Sequence, residues 1–232
     1  MTTGTKKRIV GGTVIGIVAL LLFINSQLEN SSLQQQETGL ATTRPWQIEV
    51  RPDGLSRVFG ITLGETTLGT VQTHFRDGGE MRMFVSPFNR VSVEVFFKSV
   101  DLDGIRGKIV LLLDPGEETL GAMLERGTRT KPMPDGGRKI SLHPEDRAQL
   151  RYTPVGAITY LPTTDLDASV IQQRFGEPER RIPDREAEGV VHWLYPYLGL
   201  DIALNEGGKE IFQYVPPREF ERLLEGFGKP FD

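Results

Sequence analysis

Arg174-Phe175-Gly176-Glu177-Pro178 joins a helix to a sheet, and the rest of the chain is laid out around that junction. Upstream, Leu166, Val170, Ile171 and Phe175 recur at helical spacing, which predicts a helix over Leu166–Phe175 with one apolar face. Thr163, Thr164 and Asp165 can cap its start, because their side-chain oxygens accept from the first free amides. Gly176 suits the left-handed backbone that closes a helix, and Pro178 prevents continuation. Before the helix, Val155–Tyr160 is a short apolar strand broken at Pro162. After it, Val190–Tyr197, Leu200–Leu204 and Glu210–Val215 read as strands, with Asn205-Glu206-Gly207-Gly208 as a hairpin turn. Pro216-Pro217 stops the sheet, and Phe220, Leu223, Leu224 and Phe227 give a closing helix its apolar side.

A looser version of this layout lies about a hundred residues earlier. Val71-Gln72-Thr73-His74-Phe75 aligns with Ile171-Gln172-Gln173-Arg174-Phe175 at an offset of 100. Gly60-Ile61-Thr62 precedes that helix, while Met81–Val85, Val91–Val100 and Lys108–Leu113 follow as strands. Asp103-Gly104 marks a hairpin turn, and Leu120 and Leu124 mark a second helix. The recurring order of elements predicts an internal duplication.

Charge is unevenly placed. Lys6, Lys7 and Arg8 are the only charges in residues 1–28; removing them from 27 basic residues leaves 24 against 31 acidic, so the remainder is near −7. Such a balance argues against a nucleic-acid partner, which needs a basic footprint. Ile9–Ile24 is sixteen residues without a charge. As a helix it spans roughly 24 Å, and Asn25–Leu28 can complete the crossing in the headgroup region. The basic cluster on its N-terminal side predicts a cytoplasmic N-terminus and an exported body. A cleaved signal peptide is the alternative, but Phe23–Leu28 has no small-x-small cleavage site. A buried core helix is a third reading. The absence of cysteine excludes disulfides, thiol catalysis and lipidation of an N-terminal cysteine.

These observations predict an α+β protein with an N-terminal transmembrane helix, a flexible linker and two tandem modules. Each module has a helix or two packed on a small antiparallel sheet. Residues 1–28 form the cytoplasmic tip and signal-anchor, and residues 9–28 meet the lipid bilayer. Residues 29–45 are a linker too polar to fold alone. Residues 46–137 form the first module, opened by a strand at Trp46–Val50, and 138–232 form the second. Thr128–Gly137 is the boundary between them. The expected location is a bacterial inner membrane, crossed once, with the C-terminal body in the periplasm.

The motifs that carry chemistry are sparse. His74, His143 and His192 have no metal-ligand spacing and read as surface or edge histidines, so no metal or cofactor is expected. No nucleophile elbow, P-loop or dinucleotide fingerprint occurs, and no catalytic residue is assigned. Asp101-Leu102-Asp103-Gly104 resembles the start of a calcium loop but lacks the later ligands. Trp193, Tyr195 and Tyr197, at spacing two, are expected on one strand face. That face either packs beneath the flanking helices or forms an aromatic binding surface, with Phe212 and Tyr214 on the neighbouring strand extending it.

A helix ending in Phe175-Gly176-Glu177-Pro178, a strand with Trp193-Leu194-Tyr195, then Gly199-Leu200-Asp201-Ile202 and a glycine-turn hairpin resembles the BamE/SmpA outer-membrane assembly lipoproteins. The tandem β-lactamase-inhibitor protein is built similarly. The resemblance implies small α+β modules that bind protein rather than catalyse. The earlier half departs from it, with Arg76-Asp77 in place of Gly-Pro. An anchor helix in place of a lipidated cysteine points to the inner membrane. The expected function is therefore a protein-interaction module whose partner is another envelope protein. An envelope hydrolase or a small-ligand sensor with an aromatic wall is the alternative.

Overall fold

The computed structural model describes residues 44–185, 187–205 and 209–224. Thirteen strands dominate these residues. A small antiparallel sheet contains β1 (Glu49–Val50), β2 (Ser56–Val58) and β3 (Ile61–Thr62). Ten further strands form one antiparallel sheet. They are β4 (Glu80–Val85), β5 (Val91–Leu102), β6 (Ile105–Leu113), β7 (Arg129–Pro132), β8 (Arg138–Ser141), β9 (Val155–Pro162), β10 (Arg180–Pro183), β11 (Val190–Tyr195), β12 (Leu200–Asn205) and β13 (Ile211–Tyr214). Their spatial order is β10-β11-β12-β13-β9-β6-β5-β4-β8-β7. Five short α-helices accompany them: α1 (Leu68–Phe75), α2 (Glu117–Glu125), α3 (Pro144–Leu150), α4 (Ala168–Phe175) and α5 (Phe220–Leu224).

This corrects the expected fold class. The body is mostly β, and its two halves are not separate modules on separate small sheets. They fuse where β6 pairs with β9, from Gly107↔Pro162 through Ile109↔Tyr160 to Leu113↔Val155. The reason is visible in the strands themselves. Ile109, Val110, Leu111, Ile158, Tyr160 and Leu161 are buried, so both faces of β6 and β9 are apolar and neither strand suits a solvent edge. Gly107 makes the join possible, since a Cβ there would lie 2.2 Å from the Tyr160 ring. The expected boundary at Thr128–Gly137 instead contributes β7 and the turn into β8, and β8 pairs with β4 through Met83↔Ile140.

The closing helices also differ between the halves. Met123 of α2 lies in the large core on one sheet face, with Leu68 and Val71 of α1, Leu150 of α3, and Ile171 and Phe175 of α4. Phe220 and Leu223 of α5 pack on the other face, against Ala157, Leu194 and Val215. Four of the five described α-helices thus cover one face, here called the inner face.

The small sheet is pinned to that face by its tip. Phe59 and Gly60 both have positive φ, 53° and 76°, which makes the two-residue turn between β2 and β3. The Phe59 ring is driven into the core, with centroids 5.3 Å from both Tyr160 and Tyr214. The Tyr214 hydroxyl donates to the Pro45 carbonyl at 3.0 Å, so the start of the described chain is tied to the same cluster. The expected strand at Trp46–Val50 is reduced to Glu49–Val50, and Trp46 instead lies half-buried beneath the Arg174 guanidinium at 4.6 Å.

The expected transmembrane helix falls on residues 9–28, which lie outside the described residues. Among the described residues, no helix is long and apolar enough to cross a membrane.

Candidate functional site

The helix at this junction is shorter than expected: it starts at Ala168 rather than Leu166, and its cap is none of Thr163, Thr164 and Asp165. The Asp167 carboxylate accepts from the Val170 amide at 2.9 Å and caps α4, while Gly176 closes it at φ 77°. Ile171 and Phe175 face inward and are buried. The strand that follows presents its aromatics around the end of this helix.

Trp193, Tyr195 and Tyr197 do not form one continuous surface. Tyr195 is fully buried, its ring 5.7 Å from that of Phe175, and its hydroxyl donates to the Gly176 carbonyl at 3.1 Å. Burial pushes its phenol up to about 12. Tyr197 has left the strand for a short 3-10 turn, Pro196–Leu198, and is 58% exposed. Trp193 lies between these extremes at the margin of the core. Its ring is capped by the Arg181 guanidinium, 4.5 Å from the centroid. Arg181 sits opposite Trp193 in the β10–β11 register and pairs with Glu177 at 2.7 Å, and Glu177 also accepts from Gln172 of α4.

One rim of the inner face thus carries a half-buried Trp, an exposed Tyr and an exposed Arg held in place by a carboxylate. A second Trp–Arg stack, Trp46 under Arg174, belongs to the same helix. Phe212 and Tyr214 add nothing to this rim, because both are buried in the core.

The reverse side of β11 holds what the sequence concealed. His192 alternates with Trp193, so it points to the opposite face, where it is completely enclosed. Its Nδ1 faces Asp201 of β12 at 3.0 and 2.8 Å, and its Nε2 faces Asp184 at 3.0 Å. Asp184 accepts from the Ala187 amide through its other oxygen at 2.7 Å. Burial pulls the imidazolium down, but the hydrogen bonds and charges of Asp201 and Asp184 outweigh it and hold His192 above the usual histidine range. Burial likewise raises the Asp201 carboxyl, against the pull of His192.

The expectation that His192 is a surface or edge histidine is therefore overturned. A signal was available: Asp201 interrupts the apolar run Leu200-Asp201-Ile202-Ala203, and a lone acid in such a strand needs a buried partner. Gln213 lies opposite Asp201 in the register and is buried, and its Oε1 has no hydrogen-bond partner.

The cluster acts as a clamp. With both ring nitrogens turned to carboxylates, the imidazole offers no lone pair for a metal or a substrate proton. It ties the segment after β10 to β11 and β12, and so holds β10, which carries Arg181, against Trp193. Among the described residues, no group of His, Asp and Glu side chains could hold a metal ion. His74 lies in the last turn of α1 and its pKa is lowered by burial, while His143 caps α3 by accepting from the Glu145 amide at 3.4 Å. The Asp101–Gly104 stretch is the β5–β6 turn, with Asp103 and Gly104 at positive φ and the Gly104 amide donating to Asp101.

Compared with known proteins, the chain matches no family model, and neither a curated protein nor a solved structure matches it significantly.

Proposed function

We propose that this chain is a single-pass protein of the bacterial inner membrane whose periplasmic body binds another envelope protein through the rim around α4. The observation that carries the reading is Trp193 capped by Arg181 with Tyr197 exposed on the same rim. Trp, Tyr and Arg are the residues that dominate interface energetics when a partner completes their burial. The stack is also held in advance: Glu177 fixes Arg181 from the front, and the His192 clamp fixes β10 from behind. A rigid aromatic anchor loses little side-chain freedom on binding. The charge-free run Ile9–Ile24 behind Lys6, Lys7 and Arg8 supports the membrane part of the proposal.

The test is crosslinking in intact cells followed by affinity capture of the full chain. A discrete envelope protein captured by the wild type and lost with Trp193→Ala supports the reading. An unchanged pattern in that variant contradicts it. A C-terminal reporter active only in the cytoplasm would overturn the orientation separately.

A further inference from the structure

Two arginines flank the end of α4, and each lies over an indole. Arg181 stacks on Trp193 at 4.5 Å, and Arg174 stacks on Trp46 at 4.6 Å. The flanks are opposite ones. Gln172 donates to Glu177, which also holds Arg181, so residue 172 turns to the Trp193 side. Residue 174 comes two positions later, about 200° further round the helix.

The two stacks differ in one respect. Arg181 holds the Glu177 carboxylate at 2.7 Å, whereas no carboxylate among the described residues pairs with Arg174. Glu177 is the acid nearest to Arg174 in the sequence, and Arg181 and Gln172 already engage it on the other flank. Other exposed arginines, Arg90 and Arg138 among them, also have no ion pair among the described residues, but neither lies over a ring.

The stack makes Arg174 a receptor rather than a solvated charge. A guanidinium that gives one face to an indole keeps its N–H donors, because they lie in its plane. The ring excludes water from that face and holds the side chain in one attitude, so less freedom is lost when a carboxylate meets the fork. Arg181, Trp193 and Glu177 show the same arrangement with its carboxylate in place. Trp46 is half-buried and Arg174 exposed, which leaves the second fork to solvent. The negative end of α4 opposes a carboxylate placed there, but that effect is weak at an exposed terminus. The Tyr195 hydroxyl, donating to the Gly176 carbonyl, offsets part of it.

Resting on the reading of this rim as a docking site, we propose that the partner's segment carries an aspartate or glutamate whose carboxylate bonds the Arg174 guanidinium. Apolar residues beside that acid complete the burial of Trp193. Arg174 thereby determines which segments the rim accepts.

The probe is a random peptide library displayed on phage and selected on the full chain, with sequences that also bind Tyr197→Ala discarded. The sequences that remain should be enriched severalfold in Asp and Glu over the starting library. Arg174→Gln, which alters an exposed side chain, should melt as the wild type does and select sequences without that enrichment. One selected peptide is then synthesised with its acid and with the matching amide, and both are titrated by fluorescence anisotropy. The acid should bind the wild type about tenfold tighter than the amide, and Arg174→Gln should bind the two equally. Arg174→Lys should restore only part of the difference, because it keeps the charge and loses the fork. Selected peptides without acid enrichment, an acid-to-amide difference that survives in Arg174→Gln, or full restoration by Arg174→Lys would overturn the proposal and leave the rim reading standing. A selection that retains nothing beyond what Tyr197→Ala retains would overturn the rim reading, and the proposal with it.

Discussion

The imidazole Nδ1 of His192 lies 2.8 Å from the nearer oxygen of Asp201, and both side chains are completely enclosed between β11 and β12. The pair crosses the sheet diagonally, with Asp184 closing the ring's other side at 3.0 Å. Its effect on stability follows from what either residue becomes alone.

Replacing His192 with Leu leaves a buried carboxylate facing no counter-charge. Urea denaturation of His192→Leu should show a loss of roughly 3–5 kcal/mol. His192→Leu/Asp201→Leu should recover much of it, because Asp184 retains access to water and an apolar pair can fill the site. A double variant less stable than the single one would contradict the clamp.

The clamp also sets a pH dependence. His192 is held above its unfolded value, so its stabilisation is complete below that value, roughly 6.5, and is lost as pH rises through the folded one. The melting temperature should therefore fall as pH increases above about 6.5, and His192→Gln should remove that component. A wild-type curve that rises between neutral and alkaline pH would reverse the assigned sign.

Glu94 is the second group that disfavours alkaline conditions. Burial pushes its carboxyl up to about 7, against the hydrogen bond from Ser92. A raised acid costs stability as pH climbs from its unfolded value through the folded one. Glu94→Gln should melt at a higher temperature than the wild type at pH 8 and at nearly the same temperature at pH 4, in calorimetry at each pH.

Phe59 tests how the small sheet is held. Its ring fills the space between Tyr160 and Tyr214, and truncation opens a cavity among rings that cannot collapse. Phe59→Ala should cost roughly 3–5 kcal/mol in urea denaturation. Tyr214→Phe removes only the bond to Pro45 and should cost about 1 kcal/mol. A smaller effect for Phe59→Ala than for Tyr214→Phe would show that the tip is not the pin.

The helix–turn junction was legible because its signals are local. The apolar spacing through Phe175 and the following Gly176 specify a face and a stop within ten residues, while the cap falls on Asp167, past the expected Thr163–Asp165. Helix α1, with Leu68 and Val71 inward, was readable for the same reason. The joining of the halves was not, since the apolar pattern of Lys108–Leu113 and of Val155–Pro162 fits a central strand of either a small or a large sheet. Pairing between them is a long-range choice that neither strand states alone. The opposite placement of α2 and α5 was hidden likewise, because an apolar helix side does not say which sheet face it covers.

The candidate site was legible only in part. Trp193, Tyr195 and Tyr197 were found by spacing, but spacing could not show that Tyr197 turns off the strand or that Tyr195 spends its hydroxyl on Gly176. Arg181 was invisible as a partner of Trp193 until the β10–β11 register set them opposite. His192 was misread because histidine alone carries no sign of burial; Asp201, inside an apolar strand, carried it instead.

The most direct measurement is photo-crosslinking in intact cells with a benzoylphenylalanine placed at position 197, and at position 152 as a control. Tyr152 is 83% exposed and follows α3, outside both α4 and β11. The account predicts a discrete crosslinked envelope protein from position 197, absent from position 152 and abolished by Trp193→Ala. Crosslinks from 197 that match those from 152, or that survive Trp193→Ala, would contradict it.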